Sequence, residues 1–210
     1  MKKCKVSIRL GVIIGILCFS CMSIIAASSQ NESIYLERYQ SILQTMKNAM
    51  ENAPKTGEPA LDYLYQMIPH HEAAIAMAEN VLQYGRNQKV KQMAQKTIKE
   101  QTNEIAKMRG IIKKIKVNPQ IDQIKEAAYI SEFMQIHTDM MNTMKNIKST
   151  GNVDKDFLQD MMPHHDGAIN MSHSILKYTS NPEVKQMAQN IIKKQTAENK
   201  EMSKIMSQIK

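Results

Sequence analysis

Residues 67–77 read MIPHHEAAIAM, and residues 161–171 read MMPHHDGAINM, at an offset of 94 positions. The same offset aligns residues 67–115 with residues 161–209 without a gap, and 24 of these 49 positions are identical. Further upstream it pairs Tyr35 with Tyr129. The chain is therefore an internal duplication, and the fold of one unit decides the fold of the whole.

Each repeat carries the signals of three helices. In the third helix of the first repeat, apolar residues recur at steps of three or four positions, which is the period of one buried helix face. Asn181, Pro182 and Glu183 supply a side-chain cap, a first-turn proline and an acid at the positive end of the helix dipole. The repeats, residues 34–117 and 121–210, are predicted to hold helices at about 34–52, 60–84 and from 88 onward, then at about 121–147, 154–178 and from 182 onward.

The pattern predicts an all-α fold, because no stretch of the chain alternates as a strand does. A short connection joins the second and third helices of each repeat, so these helices are antiparallel neighbours. Two such hairpins related by a pseudo-two-fold axis form a four-helix bundle. The extra leading helix of each repeat is expected to pack alongside the bundle or over one end.

Residues 1–29 have the character of an export signal. Four basic residues within the first nine positions precede an apolar run over residues 10–27, as in a signal peptide. Cleavage after this run, retention as a membrane anchor and lipid attachment at Cys21 stay open as alternatives. All three cysteines, Cys4, Cys18 and Cys21, lie here, so residues 30–210 offer no thiol for a disulfide, a zinc-thiolate site or a nucleophile. We expect an exported helical domain that touches a membrane only through its N-terminal segment.

The net charge of +8 does not indicate nucleic-acid binding. Half of the excess belongs to the four basic residues of the N-terminal segment, and the remaining lysines are interleaved with acids and glutamines, as on a solvated helix face. The chain has no tryptophan and few aromatic residues that could stack on bases. It is rich in methionine instead, with 18 in total.

The second helix of each repeat carries the residues that indicate a metal site. At 100° per residue, Met67, His70 and Met77 fall within about 80° of one another, and His71 lies within about 40° of Met67. Imidazole suits several transition metals, whereas thioether sulfur selects for copper(I). The predicted ligands are His70, His71, Met67 and Met77 with His164, His165, Met161 and Met171. Copper is the expected metal, with copper(I) favoured over copper(II) and other transition metals left open.

Further residues extend this prediction. Met134, His137, Met141 and Met144 share one face of the preceding helix, and His173 follows His165 by two turns, so an auxiliary copper site near His137 and His173 is a second hypothesis. Gln101 and Gln195 interrupt the apolar stripe at equivalent positions and are candidates for orienting a ligating histidine. The competing interpretation is that these histidines, methionines and glutamines only fill the core.

The string Asp-aromatic-Leu-x-x-Met-x-Pro-His-His, followed by Ala-Ile-x-Met, occurs at residues 62–77 and 156–171. It resembles the bacterial family known as domain of unknown function 305, over about residues 35–209. The resemblance implies a ferritin-like four-helix bundle exported to the cell envelope, and a link of some members to copper binding and tolerance. The extra leading helix and the extra histidines and methionines of this chain depart from a plain member of that family.

Three functions therefore compete. The first is an exported, periplasmic or extracytoplasmic protein that binds or buffers copper without catalysis. The second is a structural or partner-binding bundle. The third, a di-metal oxidase, needs a Glu-x-x-His pair, and no glutamate precedes a motif histidine by three residues. We expect no enzyme activity and a metal ion as partner, and a homo-oligomer stays open.

Overall fold

The computed structural model describes the backbone of residues 13–209 and the side chains of residues 30–209. Within this part the chain forms six α-helices: α1 (Ile13–Glu51), α2 (Pro59–Tyr84), α3 (Gln88–Ile115), α4 (Gln123–Asn146), α5 (Val153–Tyr178) and α6 (Pro182–Met206). The predicted all-α class is confirmed. The predicted export signal lies outside the described side chains, as do Cys4, Cys18 and Cys21. None of the helices described here combines the length and apolar character needed to cross a bilayer.

The observed helix boundaries agree with the sequence signals, with one exception. The side chain of Asn87 accepts hydrogen bonds from the backbone N–H groups of Lys89 and Val90 at the start of α3, and Asn181 does the same at the start of α6. The exception is α1, which begins at Ile13 instead of near residue 34. Residues 16–53 contain no glycine or proline that would interrupt the helix, so the apolar run and the predicted leading helix form one continuous α1.

The turn after each leading helix is built in the same way in both repeats. Gly57 and Gly151 adopt φ angles of 81° and 78°, in the left-handed region that glycine tolerates best. The carboxylate of Asp62 accepts hydrogen bonds from the backbone N–H and the hydroxyl of Thr56, at 2.8 and 2.7 Å. Asp156 holds the equivalent threonine of the second repeat by the same two bonds. These turns fix where α2 and α5 begin.

The hairpins α2–α3 and α5–α6 pack together chiefly through α2 and α5 and form the predicted four-helix bundle. The leading helices lie alongside it, α1 against α2 and α4 against α5. Ion pairs show that α3 and α6 run antiparallel, since Lys114 meets Glu183 and Lys96 meets Glu198. These two helices touch only sparingly. The bundle is therefore tight along α2 and α5 and open along α3 and α6.

Candidate metal centre

The four motif histidines lie at the centre of the bundle, where α2 packs against α5, and all four are completely buried. The rings of His70 and His164, which are equivalent residues of the two repeats, have centroids 3.7 Å apart and planes inclined by 31°. The pseudo-two-fold axis therefore passes between these two imidazoles. The ring of His71 is 6.0 Å from that of His70, and the ring of His165 is 6.3 Å from that of His164. We refer to these four residues as the histidine core.

Hydrogen bonds determine the tautomer of three of these imidazoles. His71 Nε2 lies 3.0 Å from Glu104 Oε2, and an ionised carboxylate only accepts, so Nε2 carries the hydrogen and Nδ1 keeps a lone pair. His164 Nε2 lies 3.1 Å from the carbonyl oxygen of His70, which leaves the lone pair on Nδ1. His165 Nδ1 lies 3.1 Å from Asn199 Oδ1, which leaves it on Nε2. Each ring thus keeps one nitrogen with the lone pair that a metal ion needs.

These lone-pair nitrogens have no hydrogen-bond partner within residues 30–209. Five ring nitrogens of the histidine core are buried and unpaired in this range: both nitrogens of His70, Nδ1 of His71, Nδ1 of His164 and Nε2 of His165. Most buried polar atoms in proteins are paired, and several unpaired ones on neighbouring rings need an explanation. Metal-binding histidines have this arrangement, with one ring nitrogen held by a protein acceptor and the other directed to the metal.

Burial keeps three imidazoles of the histidine core, those of His70, His164 and His165, uncharged at neutral pH. Burial is the main cause that lowers the pKa of His70 and His164 well below the usual value, and the neighbouring imidazoles add to it. Burial likewise lowers the pKa of His165 to about 4. Only an imidazole that has not taken up a proton binds a metal ion. These three rings are therefore in the binding form throughout the physiological pH range.

Two carboxylates from the third helices flank the core. Burial alone would raise the pKa of Glu104, but its hydrogen bonds and charge interactions with His71 and Lys194 lower it to about 2. Glu198 Oε2 is 3.8 Å from His165 Nε2. Burial, followed by the charge of Glu100, raises the pKa of Glu198 to about 7. The first repeat therefore holds a fixed negative charge beside its histidine, and the second holds a carboxyl group that ionises near neutral pH.

The predicted methionine ligands are all buried in the same helices. Met67, Met77, Met161 and Met171 are at most 1% exposed, and Met108 of α3 and Met202 of α6 are fully buried as well. Across the described residues, no group of three or more His, Cys, Asp or Glu side chains is arranged to hold one metal ion. A site in this core would therefore need thioether sulfur or a rotation of the imidazoles. The soft donor set is the one that copper(I) prefers.

His137 and His173, the residues predicted to form an auxiliary copper site, lie in different environments. His137 is buried in α4, stacks on Phe133 with centroids 5.8 Å apart, and has Nδ1 3.9 Å from a carboxylate oxygen of Glu51. Its Nε2 has no partner among residues 30–209. Of its methionine neighbours in sequence, Met144 is buried and Met134 is 38% exposed, while Met141 is partly buried. His173 lies on the exposed side of α5, away from the histidine core.

The glutamines suggested as orienting groups do not hold the histidines. Gln101 and Gln195 are buried, but neither forms a hydrogen bond to a histidine in the described structure. Glu104 and Asn199 hold the rings of His71 and His165 instead, and neither residue was predicted from the sequence. The signal for Glu104 was present, because it lies three positions after Gln101, on the face that also carries Met108.

Sequence comparisons identify relatives of the chain. A sequence model of the family described as Domain of unknown function (DUF305) matches residues 60–206. An uncharacterised protein of Acanthamoeba polyphaga mimivirus is 44% identical over 57 residues, which are 27% of this chain and 38% of that protein. The match thus spans less than half the length of that curated relative.

Solved structures with the same fold include copper-bound proteins. CopM in its Cu(II)-bound form is 27% identical, with a TM-score of 0.53 and coverage of 71% of this chain and 96% of CopM. CopM in its Cu(I)-bound form is 25% identical, with a TM-score of 0.52 and the same coverage. A DUF305 fragment from Deinococcus radiodurans is 20% identical, with a TM-score of 0.54 and coverage of 74% and 99%. This last likeness concerns the fold alone.

Proposed function

This chain belongs to the DUF305 family, and from that premise we propose that it binds and buffers copper at the histidine core, without catalysis, as an exported protein. The observation that carries the proposal is the set of five buried, unpaired imidazole nitrogens on four adjacent rings. Leaving a buried polar atom unpaired costs about 1–3 kcal/mol. A core that only filled space would gain stability from apolar residues at these positions. Metal binding accounts for four buried histidines at positions where apolar residues would be more stable.

Copper is favoured over other metals by the donor atoms and by the relatives. Methionine sulfur supplies the soft ligands that copper(I) prefers, while imidazole accepts either oxidation state. CopM, a structural neighbour at 25–27% identity, has been solved with Cu(I) and with Cu(II). We propose copper(I) as the main cargo, coordinated by core histidines together with methionines such as Met67 and Met161.

The test is a copper(I) titration of the metal-free protein against a chromophoric chelator under anaerobic conditions. The variant that replaces both stacked rings, His70→Leu with His164→Leu, is expected to bind copper(I) at least about 100-fold more weakly, since loss of ligands or their supports typically costs 10–100-fold or more. Tyr63→Phe is the matched control, because it removes another buried polar group of α2 and Phe157 occupies the equivalent position. Circular dichroism checks that both variants fold.

Equal copper(I) affinity in the unaltered protein and the double leucine variant would contradict the proposal and favour the alternative, a structural or partner-binding bundle. Silver(I) provides a second titration that does not depend on oxidation state, since it cannot cycle as copper does. Zinc(II) and nickel(II), titrated in the same way, report whether the core selects for soft ions.

A second candidate function is supported by the carboxylates beside the core. Glu104 and Glu198 lie near His71 and His165, and a di-metal oxidase also combines inward carboxylates with histidines. The chain lacks the Glu-x-x-His pair of such enzymes, so we rank this function below copper binding. Oxygen consumption on addition of iron(II) to the metal-free protein would favour it, and we expect none above the protein-free rate.

We also propose an auxiliary copper site at His137. Its support is the buried Nε2 atom, which has no partner within residues 30–209, next to Met141 and Met144 on the same helix. Copper equivalents bound at saturation are expected to fall by one in His137→Leu, with the affinity of the histidine core retained. An unchanged number of equivalents would exclude this site.

Export is proposed from the N-terminal sequence alone. The basic residues followed by the apolar run over residues 10–27 indicate translocation. Cell fractionation of the full chain, compared with a version in which Lys2, Lys3, Lys5 and Arg9 are replaced by serine, tests it. Accumulation of both versions in the same compartment would contradict export by this segment.

A further inference from the structure

A groove of about 580 Å³ runs along the open face of the bundle between α3 and α6. Apolar residues such as Ile111, Met187 and Ile191 line it, and one end lies where Lys114 pairs with Glu183. Its other end, at the middle of the bundle, is formed by Glu104 and Lys194. Among the residues that line the groove, Glu104 is the one hydrogen-bonded to the histidine core.

The inner end of the groove is closed by an ion pair. Lys194 Nζ is 3.0 Å from Glu104 Oε1 and 3.8 Å from a carboxylate oxygen of Glu100. The other oxygen of Glu104 is bonded to His71, which is completely buried. The side chain of Glu104 is 10% exposed, and that of Lys194 is 45% exposed. The Glu104 carboxylate thus links the solvent-accessible groove to the buried imidazole of His71. The long, positively charged side chain of Lys194 contacts this carboxylate from the groove side.

From this arrangement we propose that the groove is the route by which copper(I) reaches the histidine core: Glu104 receives the cation at the edge of the core, the cation moves on to the unpaired imidazole nitrogens inside it, and Lys194 gates the step by competing for the carboxylate. The inference rests on the proposed copper-binding function. A carboxylate attracts a cation in a partly desolvated groove more strongly than in bulk water, and a lysine ammonium cancels that attraction at short range. Displacement of Lys194 toward solvent frees Glu104 without disturbing the bond to His71.

The groove is formed by both repeats but occupies only one half of the α3–α6 face, along the second half of α3 and the first half of α6. Gly110 lines it, and a Cβ atom added at Gly110 would meet no other atom within 4 Å. The equivalent residue of the second repeat is Lys204, and the equivalent of Lys194 is Glu100. The repeats therefore differ at both positions: glycine is replaced by a long lysine side chain at one, and a positive charge by a negative charge at the other. These differences make the route specific to the Glu104 side.

Uptake rates test the route. Metal-free full chain is mixed anaerobically with a limiting amount of copper(I), uptake is stopped at set times with excess chelator, and protein-bound copper is counted. Removal of the gate in Lys194→Gln is expected to raise the uptake rate about tenfold, and Glu104→Gln is expected to lower it about tenfold, as loss or gain of one short-range charge interaction implies. Gly110→Phe, which fills the groove without a clash at Cβ, is expected to slow uptake as well.

Lys89→Gln is the matched control, because it also removes one positive charge between α3 and α6, but at the far end, where Lys89 meets Gln208. Its uptake rate is expected to equal that of the unaltered chain. Unchanged rates in Lys194→Gln, Glu104→Gln and Gly110→Phe, in a protein that does bind copper(I), would overturn the route and leave the proposed function intact. No uptake by the unaltered chain would overturn both. Thermal unfolding monitored by circular dichroism confirms that each variant is folded.

Discussion

Replacement of His70 by leucine is expected to stabilise the metal-free protein while it weakens copper binding. His70 is completely buried, and neither of its ring nitrogens has a partner among residues 30–209. An imidazole carries one donor and one acceptor, and each costs about 1–3 kcal/mol when buried and unpaired. Leucine has a similar size and no polar atom. Part of the gain is offset by loss of the ring contact with His164, so we expect a net increase in the free energy of unfolding of about 1–3 kcal/mol.

Replacement of the neighbouring residue, His71, by leucine is expected to have the opposite effect on the free energy of unfolding. His71 donates to Glu104, a buried carboxylate whose pKa of about 2 shows that it stays ionised. His71→Leu leaves that charge with one partner fewer, and hydrogen bonds to charged groups are worth about 1.5–3 kcal/mol. We therefore expect His71→Leu to lower the free energy of unfolding by a similar amount, although the residue is as buried as His70.

Urea unfolding in the presence of a strong chelator measures both variants, and an unchanged m-value shows that the midpoint shift reports stability. The reasoning predicts opposite signs for two adjacent histidines. A loss of stability of more than about 1 kcal/mol in His70→Leu, comparable with that in His71→Leu, would refute it. That outcome would mean that His70 stabilises the fold, as expected if the protein is a structural or partner-binding bundle.

Other variants test the electrostatics and the packing around the core. Burial, with the charge of Asp156, raises the pKa of Asp160 to about 7 from 3.8; its stabilising contribution is full below pH 3.8 and is lost as the pH rises through 7. The stability of the unaltered protein relative to Asp160→Asn is therefore expected to fall by as much as about 4 kcal/mol between pH 4 and pH 8, measured by urea unfolding. Gly57→Ala is expected to lose about 1–2 kcal/mol, because a side chain is strained at its φ of 81°; an unchanged melting temperature would contradict this. In Gly167→Ala the new Cβ would overlap the sulfur of Met140, so we expect a loss of about 1–3 kcal/mol that the additional change Met140→Ala reduces.

Most of the fold could be predicted because its signals are local and are repeated. Asn87 and Asn181 cap their helices with side-chain hydrogen bonds that a sequence pattern already indicates. The duplication supplies each boundary twice, so a weak signal in one repeat is supported by the other. The start of α1 was not predicted, since the apolar run over residues 10–27 was interpreted as an export signal and not as part of the leading helix.

The candidate site was predicted only in part, because its partners lie on other helices. The face of α2 that carries the histidines follows from the helical period. Which residue of α3 meets His71 depends on the rotation and the axial shift of that helix, and a difference of one turn separates Gln101 from Glu104. A single sequence does not contain that shift. Glutamine was the natural candidate within an apolar stripe, and the structure has glutamate at the contact instead.

The two repeats share their histidines but not the groups that hold them, and this difference has a chemical consequence. Asn199, which fixes the ring of His165, has Ile105 as its equivalent in the first repeat. Glu104, which fixes the ring of His71, is matched by Glu198, yet His165 Nε2 is 3.8 Å from Glu198 and bonds elsewhere through Nδ1. The lone pair is consequently on Nδ1 of His71 and on Nε2 of His165. A metal ion that approached by the same path on both sides would meet a different ring nitrogen in each repeat, so the core is asymmetric even though the motif is duplicated.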